Sequence, residues 1–465
     1  MKKIDIGNKE VIHFIGIGGI GMSGLAQIMK MSGYKVQGSD VNINKNVENC
    51  KKIGIKFFLN HKKKNLKKVT IVVKSSAIKR DNLEIIEAKR IGIPIYDRAE
   101  MLANVIAFKK NIIVTGSHGK TTTTSLISKI LSEANLDPTI INGGVINSLK
   151  NNAKFGNGEW AVIEADESDG SFLKLPINFS VITNLDHEHL DYYKNFKKLE
   201  ESFLTFLNKT PVIGKAILCS DDLSIKKLIK RTTIKNYLTY GFKKNTDYQI
   251  LNVKQIGVKS RFNIKLKYKG KINKVIKNIN LNLLGHYNIL NATAAISICL
   301  NLGINIKIIK NALNKFSGVE RRMSNIFNKG NNNFFDDYAH HPTEISAVLS
   351  GIKNISKQRK ILSIFQPHRY SRVKNLKKEF TKCFSKADIV LLCPVYSAGE
   401  KKDLSYDEYS FAKNIGKNSK VQVILIKEKN ELFNYLKKNL VSDEIVIAMG
   451  AGSISQWMKE LRNNL

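Results

Sequence analysis

Thr115-Gly116-Ser117-His118-Gly119-Lys120-Thr121 is the stretch on which the fold turns. The apolar run Ile112 to Val114 precedes it and a helix-compatible segment follows, so it reads as strand, tight loop, helix. It is a shortened phosphate loop. The first glycine of the usual pattern would stand at position 114, which is Val114, while the Gly-Lys-Thr end is intact. Backbone N–H groups of such a loop cradle phosphates, with Lys120 placed for the β- and γ-phosphates and the Thr121 hydroxyl for Mg²⁺.

Working outward toward the N-terminus, Gly16-Ile17-Gly18-Gly19-Ile20-Gly21 follows the strand-like run Val11 to Ile15 and opens a helix. Asp40 ends the next strand, 19 residues beyond Gly21, where a ribose-binding acid belongs. Taken alone the loop reads as NAD binding. The fingerprint reports only a diphosphate on a βαβ unit, however, and a UDP-sugar fits the same cradle. Two phosphate loops about 100 residues apart are hard to reconcile with a simple dehydrogenase and suggest two different phosphorylated substrates.

Toward the C-terminus, two acidic and histidine-bearing segments end strands. Glu164-Ala165-Asp166-Glu167-Ser168-Asp169 follows Trp160 to Ile163, and Asn184-Leu185-Asp186-His187-Glu188-His189-Leu190-Asp191 follows Val181 to Thr183. Hard oxygen ligands with one or two imidazoles suit Mg²⁺ or Mn²⁺ near substrate phosphates. The His187/His189 pair leaves zinc open, and a hydrated acidic loop is the plain alternative. Gly285-His286-Tyr287-Asn288-Ile289-Leu290-Asn291 opens a helix, where the amides either read a base edge or cap the helix. In the last third, Arg321-Arg322 precedes Asp336 to Glu344, and Gln366-Pro367-His368-Arg369-Tyr370-Ser371-Arg372 follows the strand Ile361 to Phe365. Arginine forks bind carboxylates and phosphates bidentately. Seven of nine histidines, at 118, 187, 189, 286, 340, 341 and 368, fall in these clusters, which favours chemistry over core filling.

The 465 residues call for two to four domains. No apolar run reaches the length of a membrane span. Met1-Lys2-Lys3 resembles the start of a leader, but Asp5, Lys9 and Glu10 break any apolar core, so a cytoplasmic protein is expected. Five widely spaced cysteines with no C-x-x-C pair fit reduced thiols. The net charge of +37 is spread over scattered lysines without an aromatic stacking platform, which argues for solvated faces and against specific nucleic-acid binding. Apolar runs alternate with helical stretches, restarting near Val11, Ile112 and Phe334, and this predicts α/β architecture with mostly parallel sheets. Alternation in 230–283, as in Arg261 to Leu266, predicts an antiparallel flank. Hinges are expected near Ala107 to Asn111 and Phe316 to Gly318, giving domains at 1–108, 109–316 and 317–465.

In order, these motifs resemble the Mur ligase family across the whole chain. Further carriers are Ser75-Ser76-Ala77-Ile78, Arg98-Ala99-Glu100-Met101-Leu102 and Gly450-Ala451-Gly452. The strings Asp336-Asp337-Tyr338-Ala339-His340-His341-Pro342-Thr343-Glu344 and Gln366 to Arg372 resemble the first ligase of that series, which joins L-alanine to UDP-N-acetylmuramate, or its peptide-recycling relatives. The resemblance implies a Rossmann-like N-terminal domain holding the UDP-sugar, a central P-loop domain holding ATP and Mg²⁺ or Mn²⁺, and a Rossmann-like C-terminal domain that helps bind the amino acid.

By resemblance, Gly18, Gly19, Gly21, Asp40, His61, Ser75 and Ser76 bind the UDP-sugar. Gly116, Ser117, His118, Gly119, Lys120, Thr121, Thr122, Asn288, Asn291, Arg322 and Asp337 bind ATP. Thr121, Glu167 and His189 hold the metal. Lys120, Glu167, His189, His340, Arg369 and Arg372 act in catalysis. Tyr287 stands where the family has histidine, and Glu188 where a smaller or apolar residue is expected. A monomer or weak homodimer is expected. An NAD-dependent oxidoreductase and a DNA-binding protein are the alternatives from other classes.

Overall fold

The computed structural model describes residues 10–268, 271–356 and 358–464. The leader-like residues Met1 to Lys3 and part of the lysine-rich stretch 254–274 lie outside the described residues.

Three sheets carry the chain. In the first, five parallel strands run in the order Lys56–Leu59, Lys35–Asp40, Val11–Ile15, Ile71–Lys74, Ile95–Asp97. The order reverses at Val11–Ile15, so the glycine loop leaves the carboxyl end of that strand at the switch point, where Rossmann-type sheets bind nucleotides. The helix Ile20–Met31 follows directly.

The second sheet has ten strands. At its centre Lys110–Thr115 lies between Phe179–Ile182 and Trp160–Glu164, parallel to both. All of Lys110–Thr115 except Lys110 is buried, which is why it reads as a continuous apolar run: helices cover both faces of a parallel sheet. The expected flank is present as Tyr248–Ile256, Lys259–Tyr268 and Lys271–Leu281 at one edge of the sheet. Gly257, in the left-handed region at φ 56°, turns the chain between the first two. The third sheet has six strands in the order Ser324–Lys329, Asn332–Asp337, Ile445–Met449, Ile361–Phe365, Ile389–Leu392, Gln422–Leu425, and only the first is antiparallel to its neighbour.

The chain divides into two compact units, one made of Met1–Leu251, Asn263–Ile279 and Leu290–Ser317, the other of Asn252–Phe262, Asn280–Ile289 and Gly318–Leu465. The flank contributes to both. Within the first unit, apolar side chains of the first two sheets share one core, from Ile12 and Phe14 to Ile163 and Leu218. The helix that begins at the glycine loop is bonded to the second sheet: Asn152 donates to Ile20 O at 2.9 Å, and Asn151 to Gln27 Oε1 at 2.7 Å. Gly24 permits this approach, since a Cβ there would stand 3.0 Å from Asn152 Nδ2 and 3.3 Å from Ala153 Cβ. Among the described residues no helix is long and apolar enough to cross a membrane.

Candidate active site

The phosphate loop is shaped by the segment that follows strand Phe179–Ile182. Ser117 N donates to Asn184 O at 3.0 Å, His118 N to Asn184 Oδ1 at 2.8 Å, and Thr183 Oγ1 to His118 O at 2.6 Å. Gly116 has φ 131°, and a Cβ there would run into Thr183 Oγ1. Gly119, at φ 84°, lies against the Asn291 amide with no room for a side chain. Both glycines are required by conformation and by space.

Lys120 opens the helix Lys120–Glu133 and its ammonium donates to Gly116 O at 2.5 Å, Ser117 O at 3.1 Å and Glu167 Oε1 at 2.9 Å. Burial disfavours the ammonium charge, but Glu167, Asp166 and Glu188 around it hold the group cationic, above its ordinary value. His189 Nε2 lies 3.4 Å from Glu167 Oε1 and 3.8 Å from Glu188 Oε2. Burial lowers the affinity of His189 for a proton, and the bond to Glu167 more than offsets this, so its pKa is raised. His189 sits at φ 57°, a left-handed conformation uncommon outside glycine and asparagine.

Asp166, Glu167 and His189 each offer a ligand atom within 4.8 Å of the others. Glu167 is buried, and the Lys120 ammonium lies 2.9 Å from both of its carboxylate oxygens. Two carboxylates and an imidazole converging in this way are a donor set that fits a hard divalent cation. The Thr121 hydroxyl instead donates to Glu164 Oε1 at 3.0 Å, and Glu164 Oε2 accepts from Gly143 N at 2.6 Å.

At the glycine loop, Asp40 Oδ2 accepts from Gly18 N at 2.8 Å, and Asn46 donates to Gly18 O at 2.9 Å. Arg98 opens the helix Arg98–Ile106, fixed there by a capping box between Asp97 and Glu100. Its Nη1 lies 3.1 Å from where a Cβ on Gly21 would stand. His61 Nδ1 meets Ser39 Oγ at 2.9 Å. Ser75 Oγ accepts from Ala77 N at 3.3 Å, while Ser76 is exposed.

In the second unit, Arg321 and Arg322 lie over the Tyr338 ring at 4.7 and 5.4 Å. Arg322 Nη1 is 3.8 Å from Glu344 Oε1. Arg372 Nη1 donates to His368 Nδ1 at 3.1 Å. Burial, with His340, Arg372, Arg369 and Arg321 nearby, pushes His368 down to about 3, so it is a neutral acceptor that orients the Arg372 fork. His340 Nδ1 lies 3.0 Å from Tyr338 O; a carbonyl only accepts, so Nδ1 carries the proton and Nε2 is basic. Arg369 adopts φ 68°, and its N–H donates to Tyr396 O at 2.9 Å.

Three family descriptions match in order: "Mur ligase family, catalytic domain" over residues 11–110, "Mur ligase middle domain" over 114–299 and "Mur ligase, glutamate ligase domain" over 321–452. The UDP-N-acetylmuramate–L-alanine ligase of Pelagibacter ubique is 52% identical over 459 residues, 99% of this chain and 99% of that one. The chain belongs to the Mur ligase family. The UDP-N-acetylmuramate–alanine ligase MurC of Thermotoga maritima has the same fold, with a TM-score of 0.81 at 29% identity and coverage of 97% and 98% of the two chains. A murein peptide ligase of Psychrobacter arcticus shares the fold at a TM-score of 0.71 and 22% identity, covering 98% of each chain. The α/β architecture expected from sequence, in three domains with mostly parallel sheets and an antiparallel flank, is the architecture of this Mur ligase.

Among the expected ligands of this Mur ligase, Lys120, Glu167 and His189 come together, and Thr121 is turned to Glu164. Thr122 is buried in the first turn of its helix. Asn291 lies on the phosphate loop. The Asn288 amide donates to Leu284 O at 2.7 Å, a bond within its own turn. Sequence reasoning gave no role to Glu164, Asn184, Arg98 or His368, although each stands inside a quoted motif.

Asp337 Oδ2 and Oδ1 accept from Met323 N and Ala339 N, both at 2.8 Å. Burial pushes its carboxyl up to about 6, against the pull of Arg322. A raised folded value means the folded state binds the proton more tightly. The associated stability is fully present below the unfolded value of about 3.9 and is lost as pH rises through about 6. Relative to wild type, Asp337→Asn is therefore expected to gain about 2–3 kcal/mol of unfolding free energy between pH 4 and 7. Urea denaturation of both proteins across that range measures it, and a flat difference would sink the assignment.

Proposed function

We propose that this Mur ligase joins L-alanine to the lactyl carboxylate of UDP-N-acetylmuramate, driven by cleavage of ATP to ADP and phosphate, in peptidoglycan precursor synthesis. Full-length identity of 52% to a UDP-N-acetylmuramate–L-alanine ligase carries this reading. The phosphate loop with its paired Lys120 and Glu167 agrees with it. The domains are taken as 1–108 for the UDP-sugar, 109–316 for ATP and 317–465 for the amino acid, in a cytoplasmic monomer or weak homodimer.

A carboxylate oxygen of the muramate attacks the γ-phosphorus and ADP departs, leaving an acyl phosphate. Lys120 exchanges its bonds to Gly116 O and Ser117 O for the transferring phosphoryl oxygens, stabilising charge as it develops. The amine of L-alanine then attacks the acyl carbon. The tetrahedral intermediate expels phosphate, and the surplus amine proton passes to His340 Nε2. Arg369 and Arg372, the latter held by His368, bind the alanine carboxylate. Glu167 and His189, with Asp166 beside them and Thr121 on turning from Glu164, would hold Mg²⁺ or Mn²⁺, which when bound neutralises phosphate charge. Arg98 clamps the diphosphate of the sugar nucleotide at the glycine loop, with Gly18, Gly19 and Gly21 giving backbone access and Asp40, His61, Ser75 and Ser76 around it.

Phosphate release from ATP in the presence of UDP-N-acetylmuramate is the test, scanned over amino acids and short peptides. Release that depends on L-alanine is expected. Release that responds to a murein tripeptide and not to L-alanine would overturn the substrate assignment.

A further inference from the structure

The first sheet encloses an ionised group that the reaction does not use. Glu84, in the first turn of the helix Leu83–Arg90, has no exposed surface, and burial works against its charge. Its carboxylate is nonetheless held below the usual range by donors from His13, Ser39 and Asn65. Ser39 Oγ donates to Oε2 at 2.6 Å, Asn65 Nδ2 to Oε1 at 2.7 Å, and His13 Nε2 stands 3.3 Å from Oε2. His61 Nδ1 lies 3.2 Å from the same Oε2 and 2.9 Å from Ser39 Oγ.

The proton inventory fixes the tautomers. Ser39 has one hydroxyl hydrogen, and Glu84 takes it. Ser39 Oγ is therefore an acceptor toward His61, so His61 Nδ1 carries the proton. Gln37 Nε2 donates to Asn65 O at 2.7 Å, which identifies it as the amide nitrogen. At 3.1 Å it also donates to His13 Nδ1, so His13 presents Nε2–H to Glu84. The remaining nitrogen of His61, Nε2, has no partner among the described residues, and the side chain is 14% exposed. His61 follows the strand Lys56–Leu59 at the carboxyl edge of the sheet, and its neighbour Asn60 donates to Asp40 O at 2.8 Å.

We infer that Glu84 is a positioning residue for the sugar nucleotide. Directly and through Ser39 it locks His61 in the Nδ1–H tautomer, leaving Nε2 as an acceptor for an N–H or O–H of the uridine. This rests on the reading that the N-terminal glycine loop holds a UDP-sugar. A carboxylate so deeply enclosed is costly to keep ionised, and an apolar residue would fill the space without that cost. Fixing the partly exposed His61 ring beyond the strand Lys56–Leu59 accounts for its presence.

Glu84→Gln is expected to raise KM for UDP-N-acetylmuramate about tenfold, with kcat and the KM values for ATP and L-alanine unchanged within about twofold. Adding His61→Ala to Glu84→Gln then costs less than about twofold more, because both act through one atom. In ¹⁵N spectra of histidine-labelled protein, the His61 Nδ1–H signature is lost in Glu84→Gln. If that variant does not fold, Glu84→Asp, which keeps the charge but withdraws the carboxylate from both Ser39 and His61, is expected to give the same KM-only effect. Fully additive losses, a fall in kcat at constant KM, or an unmoved His61 tautomer would overturn the inference. Titrating wild type with UDP separates the two readings. Absence of UDP binding ends the sugar-nucleotide reading of the loop, whereas binding that leaves the His61 Nε2 resonance unmoved ends the role of Glu84. Comparison with 2′-deoxy-UDP assigns the donor: a lost Glu84 effect points to the ribose hydroxyl, a retained one to the base.

Discussion

Replacing Lys120 by alanine is expected to leave the protein folded and to reduce ligase turnover at least about a thousandfold. The ammonium enters the phosphate loop from the first residue of the following helix, and it donates to Gly116 O, Ser117 O and Glu167 Oε1. Loss of a buried partner commonly destabilises by roughly 3–5 kcal/mol. Here the Glu167 carboxylate keeps His189 at 3.4 Å, so a smaller penalty is expected and folding persists. Circular dichroism and thermal melting report the fold, and phosphate release reports turnover. Turnover within about tenfold of wild type would refute the phosphate-loop assignment.

Glu167→Gln is expected to have the second largest effect. The substitution keeps the shape of the side chain and removes the carboxylate charge that Glu167 contributes beside Asp166 and His189. Half-saturating Mg²⁺ should rise about 10–100-fold, and turnover at fixed Mg²⁺ should fall accordingly. Lys120 loses the carboxylate that most favours its charge, so KM for ATP should rise as well. A Mg²⁺ titration of activity, paired with Mn²⁺ binding followed by electron paramagnetic resonance, measures both. Unchanged metal affinity would show that Glu167 serves only as the counter-ion of Lys120.

Much of this was legible before any coordinates. The two strands that launch the glycine loops, Val11–Ile15 and Lys110–Thr115, lie buried inside parallel sheets, so they appear as largely apolar runs. The glycines after them announce where backbone must approach phosphate. Ile361–Phe365, buried throughout, was read to the residue. The side-chain partnerships were not legible, because they join positions far apart in sequence. Glu84 bonds to Ser39 across 45 residues, and nothing in the periodicity of a short helix marks it. Within Glu164 to Asp169, sequence could not tell which acid faces Lys120 and which faces Thr121. Glu164, the last residue of its strand, takes Thr121, and Glu167, three residues beyond the strand end, takes Lys120. The Asn288 amide, expected to read a base, spends a hydrogen on Leu284 O, as helix-opening asparagines commonly do with nearby backbone.

The contact between Asn152 and the first residue of the helix after the glycine loop bears on inhibitor design. Since that contact and a common core join the two glycine loops proposed to hold the nucleotides, their spacing is preset before either ligand arrives. A single molecule carrying a uridine diphosphate head and an adenosine polyphosphate tail, tethered at the matching length, would meet its second cradle at millimolar local concentration. Loosening the seam by Asn152→Ala should then erode the advantage of the tether while sparing each half on its own.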